Sequence, residues 1–183
     1  MIAAIVIIAL VALLVVWFIG VQRKLVNQDE LCQNAMSQIG VQQNSRWDAL
    51  TAIVELVKSY NEHEYNTLRD VIASRKNISG TSTAKDVEAQ DAAMQNLAKQ
   101  IDVVVERYPE LKANENYAKA MDSVNQYENQ VRTARMVYND TCTNYNKLVR
   151  QFPESFAASL LHFGVKEYLA EPQGKTEMPS FKI

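Results

Sequence analysis

Apolar residues are distributed along this chain in three regimes, and each predicts a different kind of helix. The first twenty residues, MIAAIVIIALVALLVVWFIG, carry no charged side chain. A helix of that length rises about 30 Å, the hydrocarbon thickness of a bilayer. From Val21 to Ser45 the apolar positions thin to steps of three and four (Leu25, Cys32, Ala35 or Met36, Ile39), so the helix is expected to leave the membrane as a stalk. Gly40 and Asn44-Ser45 weaken it, with Ser45 a candidate N-cap for a new start.

Four further stripes then predict helices at about 46–77, 82–107, 110–151 and 154–170. The third is the most regular: Tyr117, Met121, Val124, Glu128, Val131, Arg135, Tyr138, Cys142, Tyr145 and Val149 alternate steps of four and three. Such a heptad seam packs helices at shallow left-handed crossings. Pro109 and Pro153 punctuate the helices, and Ser82 or Thr83 can cap the second of them. The fold class is therefore all-α: a transmembrane anchor over residues 1–21, a helical stalk over 22–45, an antiparallel bundle of long helices over 46–170, and an extended tail over 171–183. The 110–151 helix would outreach the 82–107 helix. The stalk, the 154–170 helix or a neighbouring copy's stalk must cover the excess.

The anchor is not built like a cleaved signal peptide. No Lys or Arg precedes it, the apolar run is too long, and it ends in Trp17-Phe18-Ile19-Gly20 where a peptidase needs small residues. Trp17 and Phe18 followed by Arg23 and Lys24 reproduce an aromatic belt and its headgroup-facing cations. The same two cations, the nearest basic residues to the anchor, place the C-terminal domain in the cytoplasm and the N-terminus outside. Ala3-Ala4, Ala9 and Ala12 offer a small-residue face for a neighbouring helix, so a homo-oligomer is expected.

Charge and cysteine content narrow the function classes. A formal net charge of −2, with no basic stripe, argues against a nucleic-acid partner. Cys32 and Cys142 are too few and too far apart for a disulfide framework and are expected as free thiols. His63 is not preceded by Glu at three residues, nor is His162, so the di-metal bundle motif is absent. His63-Glu64 lacks a second His at Thr67. With no phosphate loop, GxGxxG or nucleophile elbow either, no catalytic residue, cofactor or metal is expected.

Glu128 and Arg135 interrupt the seam with charge, and each must find a partner or water. Candidates on the other helices are Arg46, Glu64, Arg75 and Glu106. Together with Asn139 these residues define an expected structural polar layer of Arg46, Glu64, Glu106, Glu128, Arg135 and Asn139, of the kind that fixes helix register.

Several stretches carry a family resemblance. Glu106-Arg107-Tyr108-Pro109-Glu110-Leu111-Lys112-Ala113-Asn114 resembles a signature of the LemA family. So do Glu128 to Asn139, Tyr145-Asn146, Phe152-Pro153, Tyr60 with His63-Glu64, and the C-terminal Met178-Pro179-Ser180-Phe181. The chain departs from the family where Thr51 stands near a usual helix-kinking proline, which leaves the stalk free to run unbroken into the next helix. The resemblance implies a bacterial inner-membrane protein, anchored at its N-terminus, in a family without an established enzymatic activity. Its relatives include some implicated in organising membranes. The expected role is that of a membrane-anchored, non-enzymatic scaffold or adaptor whose partners are the bilayer, copies of itself and other membrane proteins. The alternative is a ligand- or metal-sensing domain that uses the Glu128/Arg135 layer.

Overall fold

A computed structural model describes residues 1–170, all helix and connecting chain with no strand among them. The first helix, α1 (Ile2–Val57), is unbroken through anchor, stalk and the start of the bundle, so no boundary falls at residue 45 or 46. It contains no proline, and Gly40 does not break it. That glycine has a packing reason instead: a Cβ there would lie 2.2 Å from the carbonyl oxygen of Ile78, so the 73–83 connection crosses α1 where α1 has no side chain.

The helix expected over 46–77 is divided. α1 stops at Val57, and α2 (Glu62–Ile72) starts at Asn61, whose carboxamide oxygen accepts from the backbone N–H groups of His63 and Glu64. The apolar stripe spans this break, which is why periodicity alone misses it; the Asn61 N-cap supplies the local reason for a new start. α3 (Ala84–Arg107) opens on a capping box in which Thr83 and Asp86 satisfy each other's backbone N–H. Pro109 then starts the single turn α4 (Pro109–Lys112), and Asn114 caps α5 (Glu115–Arg150), so the helix expected from 110 starts five residues later. The last helix among the described residues, α6 (Glu154–Leu160), ends ten residues short of the expected 170. His162 then takes a left-handed φ of 61°, and residues 163–170 continue without helix. The expected tail at 171–183, with its Met178–Phe181 motif, lies outside the described residues.

α1 and α5 form the spine. Arg46 meets Glu128 and Cys32 meets Cys142, so the two helices pass in opposite directions. The stalk therefore covers the lower part of α5 within the same chain. Far from the anchor, α2, α3 and α4 close over this pair around Trp47, Leu50, Ile53, Leu97, Ile101 and Leu111. In the middle, Cys32, Met36, Ile39, Val87, Tyr138, Cys142 and Tyr145 form a second core. At the anchor end Ala157 and Ala158 of α6 bury Val21 and Leu25, with Trp17, Phe18 and Phe163 around them.

Candidate functional site

The charged residues of the seam are paired across the bundle, but not all with the partners expected. Arg46 Nη2 donates to Glu128 Oε2 at 3.2 Å. Arg135 instead pairs with Asp91 of α3, whose other carboxylate oxygen accepts from Gln43 Nε2 at 2.7 Å. Beside this group Trp47 Nε1 donates to Gln90 Oε1 at 3.0 Å. Both arginines are buried, as are Gln43 and Gln90. Burial pushes the Asp91 carboxyl above its ordinary range, against the pull of Arg135, the Gln43 hydrogen bond and Arg46. The Arg46 and Arg135 Nε groups and Gln43 Oε1 are buried without a partner, so the layer satisfies its charges better than its full hydrogen-bonding capacity.

The expected layer is thus divided among four places. Arg46, Glu128 and Arg135 converge. Glu64 lies far from the anchor, where Arg107 Nη1 donates to it at 2.6 Å, and Arg75 pairs with Asp48 at 2.7 Å. Glu106 is exposed and takes part in none of the ion pairs among the described residues, because it lies on the outer face of α3. Asp91, Gln43 and Gln90 were not singled out from sequence. A polar residue on an amphipathic helix reads as solvent-facing until its partner on another helix is known.

Asn139 belongs to a different device. Its side-chain amide donates to Leu169 O and accepts from Leu169 N, both at 2.9 Å. One heptad later Asn146 repeats the arrangement, donating to Lys166 O at 2.9 Å and accepting from Lys166 N at 2.8 Å. These carboxamides supply what a neighbouring strand would, and they hold residues 163–170 extended along α5. Tyr138 Oη donates to Glu167 O at 3.2 Å, Arg135 donates to Ala170 O, and Lys166 Nζ reaches Asp29 of α1 at 2.8 Å. A seven-residue repeat of Tyr-Asn, at Tyr138-Asn139 and Tyr145-Asn146, is the sequence signal for this clamp.

Beneath it, Cys32 and Cys142 are free thiols buried in one cluster with Tyr138. Burial raises all three, the Cys32 thiol to about 12, which removes the thiolate a reactive cysteine needs. A cleft of about 580 Å³ opens here between α1, residues 80–85 and the clamped segment. His63 and His162 are both exposed. Among the described residues no three His, Cys, Asp or Glu side chains converge as a metal site would require.

At the anchor, Arg23 and Lys24 are exposed while Trp17 and Phe18 are half-buried in the α6 cluster, so the aromatic pair serves both the anchor and the bundle base. The first part of α1 has a mean hydropathy of 3.3 over its most apolar stretch and is wholly uncovered, as a membrane span would be. These features are those of a helical bundle carried on an N-terminal apolar helix long enough to cross a membrane. Its residues 35–182 match the LemA family, and the chain belongs to that family. None of the curated proteins compared with the chain matches it.

Proposed function

We propose that this protein is a non-enzymatic scaffold, anchored in the bacterial inner membrane with its bundle in the cytoplasm, that assembles copies of itself and other membrane proteins. The observation that carries this reading is the continuity of α1. One helix of 56 residues is at once the anchor and the spine of the bundle, so lateral association of anchors sets the relative placement of the domains above them. The stalk's apolar face is already occupied by α5, which leaves the small-residue face of Ala3, Ala4, Ala9 and Ala12 as the contact between copies. The sensing alternative would require a ligand to displace the partners that Glu128 and Arg135 already hold.

Light scattering of the full chain in mild detergent tests the assembly. An oligomer is expected that dissociates in Ala9→Leu/Ala12→Leu, and a monomeric parent chain removes self-association from the proposal. Orientation is read from exposed Lys119→Cys, since both native thiols are buried. Modification by a membrane-impermeant thiol reagent in intact cells would place the domain outside.

A further inference from the structure

We infer that α6 is a second membrane contact, a foot whose outer face enters the interface of the same anionic leaflet that α1 crosses. The inference rests on the anchor reading and adds to it a site, a face and a lipid chemistry.

Position comes first. Ala157 and Ala158 pack on Val21 and Leu25 in one cluster with Trp17 and Phe18, which sets α6 beside the point where α1 enters the hydrocarbon. α5 runs toward the anchor and delivers the chain there at Gln151 to Pro153. The face of α6 turned away from α1 is apolar where water would favour polar side chains. Phe156 and Leu160, four residues apart on α6, are 66 % and 60 % exposed, and Phe152, in the turn that leads into the helix, is 86 % exposed. Single exposed apolar residues are ordinary in soluble proteins, but two exposed phenylalanines and a leucine on one short stretch beside a membrane helix extend that helix's lipid-facing surface.

Charge selects the surface. Lys24 and Lys147 line one groove on the α1–α5 flank, together with Gln28 and Gln151. Arg23 and Arg150 are exposed nearby, and Glu154 is the acidic residue of α6 itself. A basic collar above an apolar face matches an anionic headgroup layer over acyl chains. With both contacts made, the tilt and rotation of α1 are fixed and the bundle is presented to partners in one orientation. With the anchor alone, α1 can turn about its axis.

The test uses the full chain in vesicles of phosphatidylcholine and phosphatidylglycerol, with an environment-sensitive fluorophore on a single introduced thiol. Cys32 and Cys142 are 1 % and 0 % exposed, so the parent chain is expected to take up little label. The introduced thiols are Phe156→Cys for the foot, Leu10→Cys for the anchor and Lys119→Cys for the far end of the bundle. A quencher carried on the lipid acyl chains should reach the probes at positions 10 and 156 and not the one at 119, and aqueous iodide should do the reverse. Phe152→Ser/Phe156→Ser should reduce lipid quenching of a probe at Leu160→Cys several-fold, with quenching at position 10 unchanged. Omitting phosphatidylglycerol should weaken quenching at 156 and leave position 10 as it was. Iodide access at 156 equal to that at 119 overturns the foot, and so does shielding of 156 from both quenchers, which would mean that another copy or another protein covers it. Unchanged quenching at 156 without the anionic lipid removes the headgroup selectivity. If position 10 itself escapes the lipid quencher, the anchor reading fails and the foot with it.

Discussion

The half of the bundle far from the anchor and the half next to it share the α1–α5 spine, yet they are closed by opposite means. Far from the anchor, helices lie on helices, and the core is apolar from Trp47 to Leu111. Next to the anchor the third layer is a non-helical segment held by side-chain amides, with two thiols and two tyrosines beneath it. An apolar helix face packs against any matching stripe, whereas an extended segment has backbone donors and acceptors that need partners one by one. The far half can therefore lose single contacts with modest effect. The near half depends on a few polar side chains in fixed places.

Alkali should separate the two halves most sharply. Cys32 and Tyr145 are raised to about 12 from ordinary values of 9.0 and 10.0, and Cys142 and Tyr138 are raised as well, all mainly by burial. The unfolded chain releases these protons near the ordinary values while the folded chain still holds them, so the folded state binds more protons across this window. Stability contributed by these groups is full below about pH 9 and is lost as pH rises toward 12. Tyrosinate absorbance and helicity followed against pH should show a group of phenols that ionises late and together with loss of helix. If all eight tyrosines titrate at the ordinary value with helicity intact, the near half does not depend on these protons.

Arg135 stands where the halves meet, bound to Asp91 of α3 and to Ala170 of the clamped segment. Arg135→Ala leaves the Asp91 carboxylate buried without its cation, a change that typically costs about 3–5 kcal/mol. Urea unfolding followed by Trp47 emission, with Trp17→Phe removing the anchor's signal, measures it. A loss below about 1 kcal/mol would mean that the pair is effectively solvated.

Gly40→Ala sets local propensity against packing. Alanine favours an exposed helix interior by about 1 kcal/mol over glycine. Here, however, its Cβ would press on the Ile78 backbone, so a net loss of roughly 1–3 kcal/mol is expected from overpacking. A gain in urea stability would show that the 73–83 connection shifts freely.

These variants also mark what was legible in the sequence. The stripes of α1, α3 and α5, the Thr83 cap and the charged seam positions follow from periodicity and side-chain chemistry. The end of α1 was hidden because its apolar stripe resumes in phase on α2, across Asn61. The role of Gly40 was hidden because a close approach involves a distant backbone. Residues 161–170 read as an amphipathic helix since Leu161, Phe163, Tyr168 and Leu169 fit that spacing. What overrides it is the Tyr-Asn repeat on α5, a tertiary partner that local propensity does not contain.

Asn146→Ala removes two hydrogen bonds to Lys166, each worth about 0.5–1.5 kcal/mol. The expected effect is local. Hydrogen exchange at Lys166 and Leu169 should accelerate while the α3 amides keep their protection, because the far core contains no part of the clamped segment. Equal acceleration in α3 would mean that the two halves open as one unit.

The smallest effect belongs to the far end, at the Arg107–Glu64 pair. Its geometry is good, at 2.6 Å, but the Arg107 side chain is 62 % exposed. Solvent screens such a pair and its release restores side-chain freedom, so Arg107→Ala should change stability by only about 0–1 kcal/mol. The neighbouring Asn61 cap and its bond to Tyr108 Oη at 2.7 Å persist without the arginine and continue to hold α2 against the end of α3. Urea midpoints in low and high salt distinguish the contributions. A small loss that vanishes in salt fits a screened surface pair, whereas a salt-independent loss comparable to that of Arg135→Ala would mean that the far half also depends on single polar contacts, and the contrast between the two ends would fail.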